Sequence, residues 1–352
     1  VYEVPFLAHS PLEPMNCTAQ FTGDRVEIWL GTQGASNSAD AALAACGLSG
    51  DTVNVNLAYV GGSFGRKGET DSVTQAAVIA KAMNGVPVQV IWSRAEDIQH
   101  DFYRPAFMAR FKGLIDSDDA VTGWIGTNAG PSIMSRFYPT NTDFMSQEGF
   151  SIPYGVSNIS VHSVISSTPV PVGFWRSIGY THNIFFIESF IDELASETGA
   201  DPLEFRKSML SDNARAVALL DKVAEMSNWG TPSVPDAGQG VVFYEALGSL
   251  VAVVAEVTVD PDLSDEPVSV HAVYCAVDCG EVIHPNAASA QIEGAVIYGL
   301  TAALYGHIEI EDGRVAQSGF HDYRALTLKN SPHVAVEFIR SGADPVSYTH
   351  LR

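Results

Sequence analysis

Basic residues are scarce in this chain. Of 352 residues only 19 are Lys or Arg, against 41 Asp or Glu, a formal net charge of −22. Such a balance repels polyanions and leaves no basic stripe for a phosphate backbone, which excludes nucleic acid as a partner. Cysteine is scarce too: Cys17, Cys46, Cys275 and Cys279 form neither a CxxC pair nor a dense framework. Buried free thiols are therefore expected, rather than a disulfide scaffold or a zinc site. Long apolar runs are missing as well. The nearest, Val241 to Ala255, is interrupted by Glu245 and falls short of the roughly 20 residues that a membrane-spanning helix needs. No internal repeat or low-complexity tract is present, and no initiator methionine, so any targeting peptide would lie upstream of Val1.

What is present is an ordinary globular composition, 46% hydrophobic and 17% charged, with 30 glycines that point to tight turns and close backbone approaches. The length predicts two domains, with a boundary near Leu210. Alternation predicts strands over Val26–Leu30 and Val53–Val60, then a helix over Ser72–Met83 and a strand over Val86–Trp92, together a βαβ-like unit. The polar, aromatic stretch 136–168 has weak periodicity and reads as long loops. Helices follow over Asn183–Thr198, from Asp201, and over Ala214–Asn228. The Asp201 start has Asp as cap, Pro202 in the first turn and Glu204 where a capping-box carboxylate belongs. A linker-like Gly230–Gly240 leads to strands over Leu250–Val259 and Val268–Val277. Beyond them come a helix over Ala287–Tyr305 capped by Asn286, a hairpin at Asp312-Gly313 and a strand over His333–Ile339.

Several stretches could carry chemistry. Gly61-Gly62-Ser63-Phe64-Gly65-Arg66-Lys67 lies between a strand and a helix, where backbone N–H groups can approach an anion. It is neither a Walker loop nor a dinucleotide fingerprint, and a plain turn with two solvated cations is the alternative. Gln33 ends a strand in Gly31-Thr32-Gln33, where its amide can face a ligand or solvent. Arg176, after Trp175 in Trp175-Arg176-Ser177-Ile178-Gly179, can grip an oxyanion, stack on a planar substrate or serve a structural ion pair. Gln291 and Glu293 are polar positions in an apolar helix, either partnered or solvent-facing. His9 and Glu13 have the i, i+4 spacing of helical metal ligands, but Pro11 and Pro14 argue against a helix there.

The order of these stretches says more than any one of them. HSPLEPMNCTA, GTQ, GGSFGRK, WRSIGYTHNIFFIESFIDELA, DPLEFR, AVDCGEVIHPN, AQIEGAVIYGL and FHDY follow one another. That series resembles the xanthine dehydrogenase and aldehyde oxidase superfamily, and the WRSIG to DELA stretch looks most like the isoquinoline 1-oxidoreductase β-subunit family. The resemblance spans Val1 to about Pro345. It implies an α+β fold of two molybdopterin-binding domains, 1–210 and 211–345, which together hold molybdenum in a molybdopterin cytosine dinucleotide. By motif position Gln33, Gly62, Ser63, Phe64, Gly65, Arg66 and Gln291 would contact the cofactor, and Trp175 and Arg176 would line the substrate side. No protein side chain would ligate the metal directly.

The activity implied is hydroxylation of a C–H bond beside nitrogen in a heteroaromatic ring, or of an aldehyde, with water as the oxygen source. Electrons would leave through a small partner subunit carrying two-iron two-sulfur clusters, with a c-type cytochrome as a further acceptor. Relatives of this type are exported, which implies the periplasm. The resemblance also implies a catalytic glutamate in a glycine-rich segment beyond Pro345. None follows, and residues 346–352 read as a non-native tail. The chain is thus expected to be truncated at both ends and inactive alone. Gly319 and Ser63 stand where the family pattern has asparagine and glycine. Three other readings remain: an aldehyde or purine dehydrogenase of the same superfamily, a phosphate- or nucleotide-binding protein without molybdenum, and an inactive scaffold.

Overall fold

The computed structural model describes residues 1–137, 143–263 and 266–346. The first half runs β1 (Tyr2–Val4), β2 (Asn16–Phe21), β3 (Val26–Leu30), α1 (Ala35–Cys46), β4 (Val53–Leu57), α2 (Asp71–Ala82), β5 (Val88–Ile91), α3 (Arg94–Gln99), β6 (Phe107–Ile115), β7 (Val121–Pro131), α4 (Phe144–Gln147), β8 (Asn158–Ser166), α5 (Tyr180–Thr198) and α6 (Pro202–Met209). The second runs α7 (Ala214–Ser227), β9 (Gly238–Ala246), β10 (Ser249–Val259), β11 (Val268–Asp278), α8 (Pro285–Tyr305), the hairpin β12 (Ile310–Glu311) and β13 (Arg314–Val315), and β14 (His333–Phe338).

The amino-terminal sheet has the order β4-β3-β2-β5. Every second residue of β2 (Cys17, Ala19, Phe21) and of β3 (Val26, Ile28, Leu30) is buried, so one face of the pair is apolar and has to be covered. Helices α1 and α2 cover it, and α2 meets the strands through Ala76, Ala77 and Ala80, small enough to let it lie close. β3 is parallel to β4, while β2 is antiparallel to both β3 and β5. The expected βαβ-like unit therefore exists in split form: β4 and β5 are parallel, joined through α2, and separated by β3 and β2.

Two further sheets, β1-β6-β7-β8 and β14-β11-β10-β9, flank α5, α6 and α7. Trp124 of β7, Ile187 and Ile191 of α5, Leu219 and Leu220 of α7, and Phe243 of β9 belong to one buried cluster, which takes residues from both sides of Leu210. Each such side chain contributes roughly 1.5–3 kcal/mol by leaving water. On the opposite face of the third sheet, α8 packs through Ile292, Val296 and Leu300. All four cysteines are free thiols.

Most of the predicted elements appear within a few residues of their expected ends, and several expectations need correcting. The stretch 136–168 contains β8, whose Ile159, Val161 and Val164 are exposed at a sheet edge, so no buried stripe announces it. β9 begins inside the expected linker and pairs with β10 through a turn at Leu247-Gly248, both with positive φ. Asp201 does cap α6, accepting from the Leu203 and Glu204 N–H groups, but the Glu204 carboxylate turns to Lys207 instead of closing a box. α8 is capped by His284 rather than Asn286, its Nδ1 accepting from Ala287 N–H. Of the expected non-native tail, all but Val346 lies outside the described residues.

Candidate functional site

The end of β3 and the glycine-rich loop before α2 are tied together. The Gln33 N–H and the Thr32 hydroxyl both donate to the Lys67 carbonyl, at 2.9 and 3.0 Å. Gln33 Oε1 accepts from the Ser63 hydroxyl and, at 3.1 Å, from the Gly65 N–H. The Gln33 NH2 and the N–H groups of Gly62, Ser63 and Phe64 have no protein acceptor among the described residues. Phe64 adopts φ +59°, between Gly62 at +99° and Gly65 at +113°. Such a conformation is rare for an aromatic residue and is kept only where the surroundings enforce it. A Cβ on Gly65 would stand 1.6 Å from the Phe174 carbonyl oxygen, so here two main chains meet with no room for any side chain.

Aromatic stacking joins this loop to two distant segments. The Phe64 ring lies 4.1 Å from that of Tyr298 in α8, and Tyr298 lies 4.6 Å from Trp175, all near parallel. The Tyr298 hydroxyl donates to the His9 carbonyl at 3.1 Å. Arg176 donates to the carbonyl of Gln291 at 3.2 Å, while the Gln291 side chain and Glu293 are exposed. Thus Gln33, Gly62, Ser63, Phe64, Gly65, Trp175, Arg176 and the main chain of Gln291 share one locality. The turn that presents Trp175 and Arg176 is tight: Ser177 and Ile178 both have positive φ.

The two loop cations are buried, not solvated. The Arg66 guanidinium donates twice to Asp71, lies 2.9 Å from Asp101 Oδ1, and packs against Trp92 and Phe102. It is committed to these carboxylates. Lys67 pairs with Glu13. Burial opposes charge on Glu13, but hydrogen bonds from Lys67, Asn16 and the Gly61 N–H prevail and hold its pKa below the usual carboxylate range. His9 Nδ1 lies 3.0 Å from both Asp101 oxygens, and Nε2 lies 2.8 Å from the Phe174 carbonyl oxygen. His9 and Glu13 therefore serve separate networks. Among the described residues no group of three or more His, Cys, Asp or Glu could hold a metal.

Tyr298, Asp101 and Arg104 escaped the sequence reading. Tyr298 had a signal: it stands two helical turns after Gln291, on the same face of α8. Asp101 and Arg104 lie in a polar stretch with no periodicity, and nothing local marks them. The assembled locality offers neutral N–H donors on a glycine loop, an amide at a strand end and a wall of stacked rings. Such a surface suits a planar ligand carrying negative charge.

Residues 1–210 and 197–332 each match a family model described as a molybdopterin cofactor-binding domain. The chain is 32% identical over 344 residues to isoquinoline 1-oxidoreductase subunit beta of Brevundimonas diminuta, covering 94% of this chain and 44% of that protein. It is 27% identical to a membrane-bound aldehyde dehydrogenase [pyrroloquinoline-quinone] of Gluconacetobacter polyoxogenes, covering 98% of this chain and 48% of that one. In fold it is similar to quinoline 2-oxidoreductase from Pseudomonas putida 86, with a TM-score of 0.84 at 13% identity, over 97% of this chain and 69% of that chain. The chain spans less than half the length of these two curated relatives.

Proposed function

Because the chain belongs to the molybdopterin cofactor-binding family of the xanthine dehydrogenase and aldehyde oxidase type, we propose that it forms the cofactor-holding part of a molybdenum hydroxylase large subunit. The substrate is an N-heterocycle oxidised at a ring C–H, or an aldehyde, and water supplies the oxygen. The observation that carries this reading is the convergence of Gln33, the open N–H groups of Gly62, Ser63 and Phe64, and the Phe64–Tyr298–Trp175 stack.

The residues present fit such a cofactor. The N–H groups of Gly62, Ser63 and Phe64 and the exposed Gln33 NH2 are donors that no protein acceptor among the described residues takes, and Gly65 lets the main chain come close without a side chain in the way. Gln33, Phe64, Gly65 and Gln291 would hold the cofactor. The bound group supplies the two-electron redox chemistry. Trp175, buried and stacked on Tyr298, backs the substrate side, and Arg176 orients the substrate by hydrogen bonding to a developing oxyanion. The proton-abstracting base is proposed to be a glutamate from a glycine-rich segment following β14, beyond Pro345.

The cytosine dinucleotide form of the cofactor, a small subunit with two-iron two-sulfur clusters as electron acceptor, a c-type cytochrome beyond it, and a periplasmic setting complete the proposal. The gene, extended at both ends, is to be co-expressed with a candidate iron–sulfur subunit in a molybdenum-replete host, and molybdenum and released cytidine monophosphate measured per chain. About one of each supports the reading. Neither in well-folded, matured protein overturns it in favour of a binding protein without molybdenum. Rates with isoquinoline, an aldehyde and xanthine then separate the substrate classes.

A further inference from the structure

Two arginines beside the aromatic stack, Arg104 deeply buried and Arg176 partly buried, lack what the other deeply buried arginines have. Arg66 and Arg206 are each held by two carboxylates. Arg104 is only 5% exposed, and among the described residues no carboxylate lies within ion-pair distance of it. Its guanidinium reaches the Pro5 carbonyl at 2.8 Å and stands 5.8 Å from the centre of the Trp175 ring, while its Nε has no acceptor. The buried indole N–H of Trp175 has none either. Arg176, next in the chain, has no carboxylate partner among the described residues and gives its hydrogen bond to the Gln291 carbonyl.

The titratable groups that face Arg104 are neutral. Tyr298 and Tyr323 approach it with phenol hydroxyls, and His182, whose pKa burial and Arg104 together depress to about 3, is uncharged. Burial lowers the Arg104 pKa to about 10, which still leaves it a cation at neutral pH. A buried charge without a counter-charge is costly, and evolution usually removes it or pairs it. Both cations border Tyr298 and Trp175, where a flat ligand would lie.

We propose that Arg104 and Arg176 make the wall behind the Phe64–Tyr298–Trp175 stack a fixed positive field, and that the site prefers a planar heteroaromatic bearing a carboxylate over its neutral parent. The proposal rests on the preceding reading only in placing substrate beside the stack. Arg176 makes direct contact with the carboxylate. Arg104 is a positioning residue that acts across Trp175 through its charge. At separations of roughly 8–10 Å and an effective dielectric near 20, one such charge changes anion affinity on the order of tenfold.

The test is equilibrium binding of quinoline and of quinoline-4-carboxylate to the protein, followed by tryptophan fluorescence and calorimetry. The carboxylate is expected to bind at least about tenfold tighter than quinoline. Arg104→Met should weaken the carboxylate by about tenfold and leave quinoline unchanged, and Arg104→Lys should restore most of the loss. Without ligand, Arg104→Met should melt no lower than the parent, because it removes an unpaired buried charge. Should Arg104→Met fail to fold, the parent decides: rising salt should weaken the carboxylate and leave quinoline unchanged, and no salt dependence for the carboxylate overturns the proposal. Equal affinity for the two ligands, no binding of either, or an equal loss for both in the variants overturns the proposal. Protein that matures without molybdenum yet keeps the carboxylate preference would overturn the hydroxylase reading and leave this one standing.

Discussion

The ring of Phe64 lies 4.1 Å from that of Tyr298 at 17° to parallel, although one comes from the first matched domain and the other from the second. The second stacked neighbour of Tyr298, Trp175, and the hydroxyl bond to His9 make it the tie between three segments. Tyr298 is partly buried, so Tyr298→Ala is expected to cost about 2–3 kcal/mol, less than truncation of a fully buried aromatic. Tyr298→Phe, which keeps the stack and loses the hydroxyl, should cost only about 1 kcal/mol. Urea unfolding of both variants checks this, and an Ala variant within about 1 kcal/mol of the parent would show that the stack does not hold the segments together.

Gly65 is the position least able to accept change. Alanine there meets the Phe174 carbonyl oxygen at 1.6 Å and has to sit at φ +113°, so the loop must move away from the 173–179 segment. Gly68, two residues past Arg66, has open space around its Cβ direction. Gly65→Ala should therefore abolish cofactor retention and lower the melting temperature, with Gly68→Ala close to the parent in both. Molybdenum content and thermal melts of the pair decide it; equal behaviour would remove the main-chain contact from the account of the site.

The glycine loop and its link to the end of β3 were legible as a special place because their residues are local: glycines, a strand end and a helix start. The split βαβ-like unit was legible because its strands alternate. β6 and β7 were not, and their glycines explain why. A strand with Gly123, Gly126 and Gly130 reads as a loop by propensity, yet Leu114, Phe111 and Phe107 of β6 lie across those glycines. The burial of Arg66 and Lys67 was equally hidden, since the carboxylates that neutralise them include Asp101 and Glu13, which only the fold brings near. Local chemistry was readable, and what depended on a partner from elsewhere in the chain was not.

Asp97 makes stability depend on pH in an unusual direction for a carboxylate. Burial, with Asp101 nearby, raises its pKa to about 6 in spite of Arg94. Its folded value lies above the unfolded one, so the folded state holds the proton more tightly. The associated stabilisation is complete below about pH 4, is lost as pH rises through 6, and amounts to roughly 2–3 kcal/mol. Other carboxylates, among them Asp101 and Asp143, are shifted downward and act in the opposite sense. The difference between parent and Asp97→Asn isolates the effect. From pH 4.5 to 7.5 the Asn variant should gain stability relative to the parent, and a constant difference would refute the raised pKa.

Glu188 ties together the elements around the central core. Its carboxylate, buried in α5, accepts from Arg206 Nε at 3.0 Å, the Tyr154 hydroxyl at 2.8 Å and the Phe243 N–H at 3.0 Å, joining α5, α6 and β9. Burial raises its pKa even though Arg206 and these donors favour the charged form. Glu188→Gln keeps the shape and removes the charge, leaving Arg206 with Asp192, whose side chain is 47% exposed. A buried cation deprived of its partner costs about 3–5 kcal/mol, whereas Asp192→Asn, which removes the half-exposed partner alone, should cost less than about 1 kcal/mol. Denaturant unfolding of the two variants gives the comparison. Equal costs would mean that solvent reaches Arg206 and that its pairing with Glu188 contributes no more than a surface ion pair.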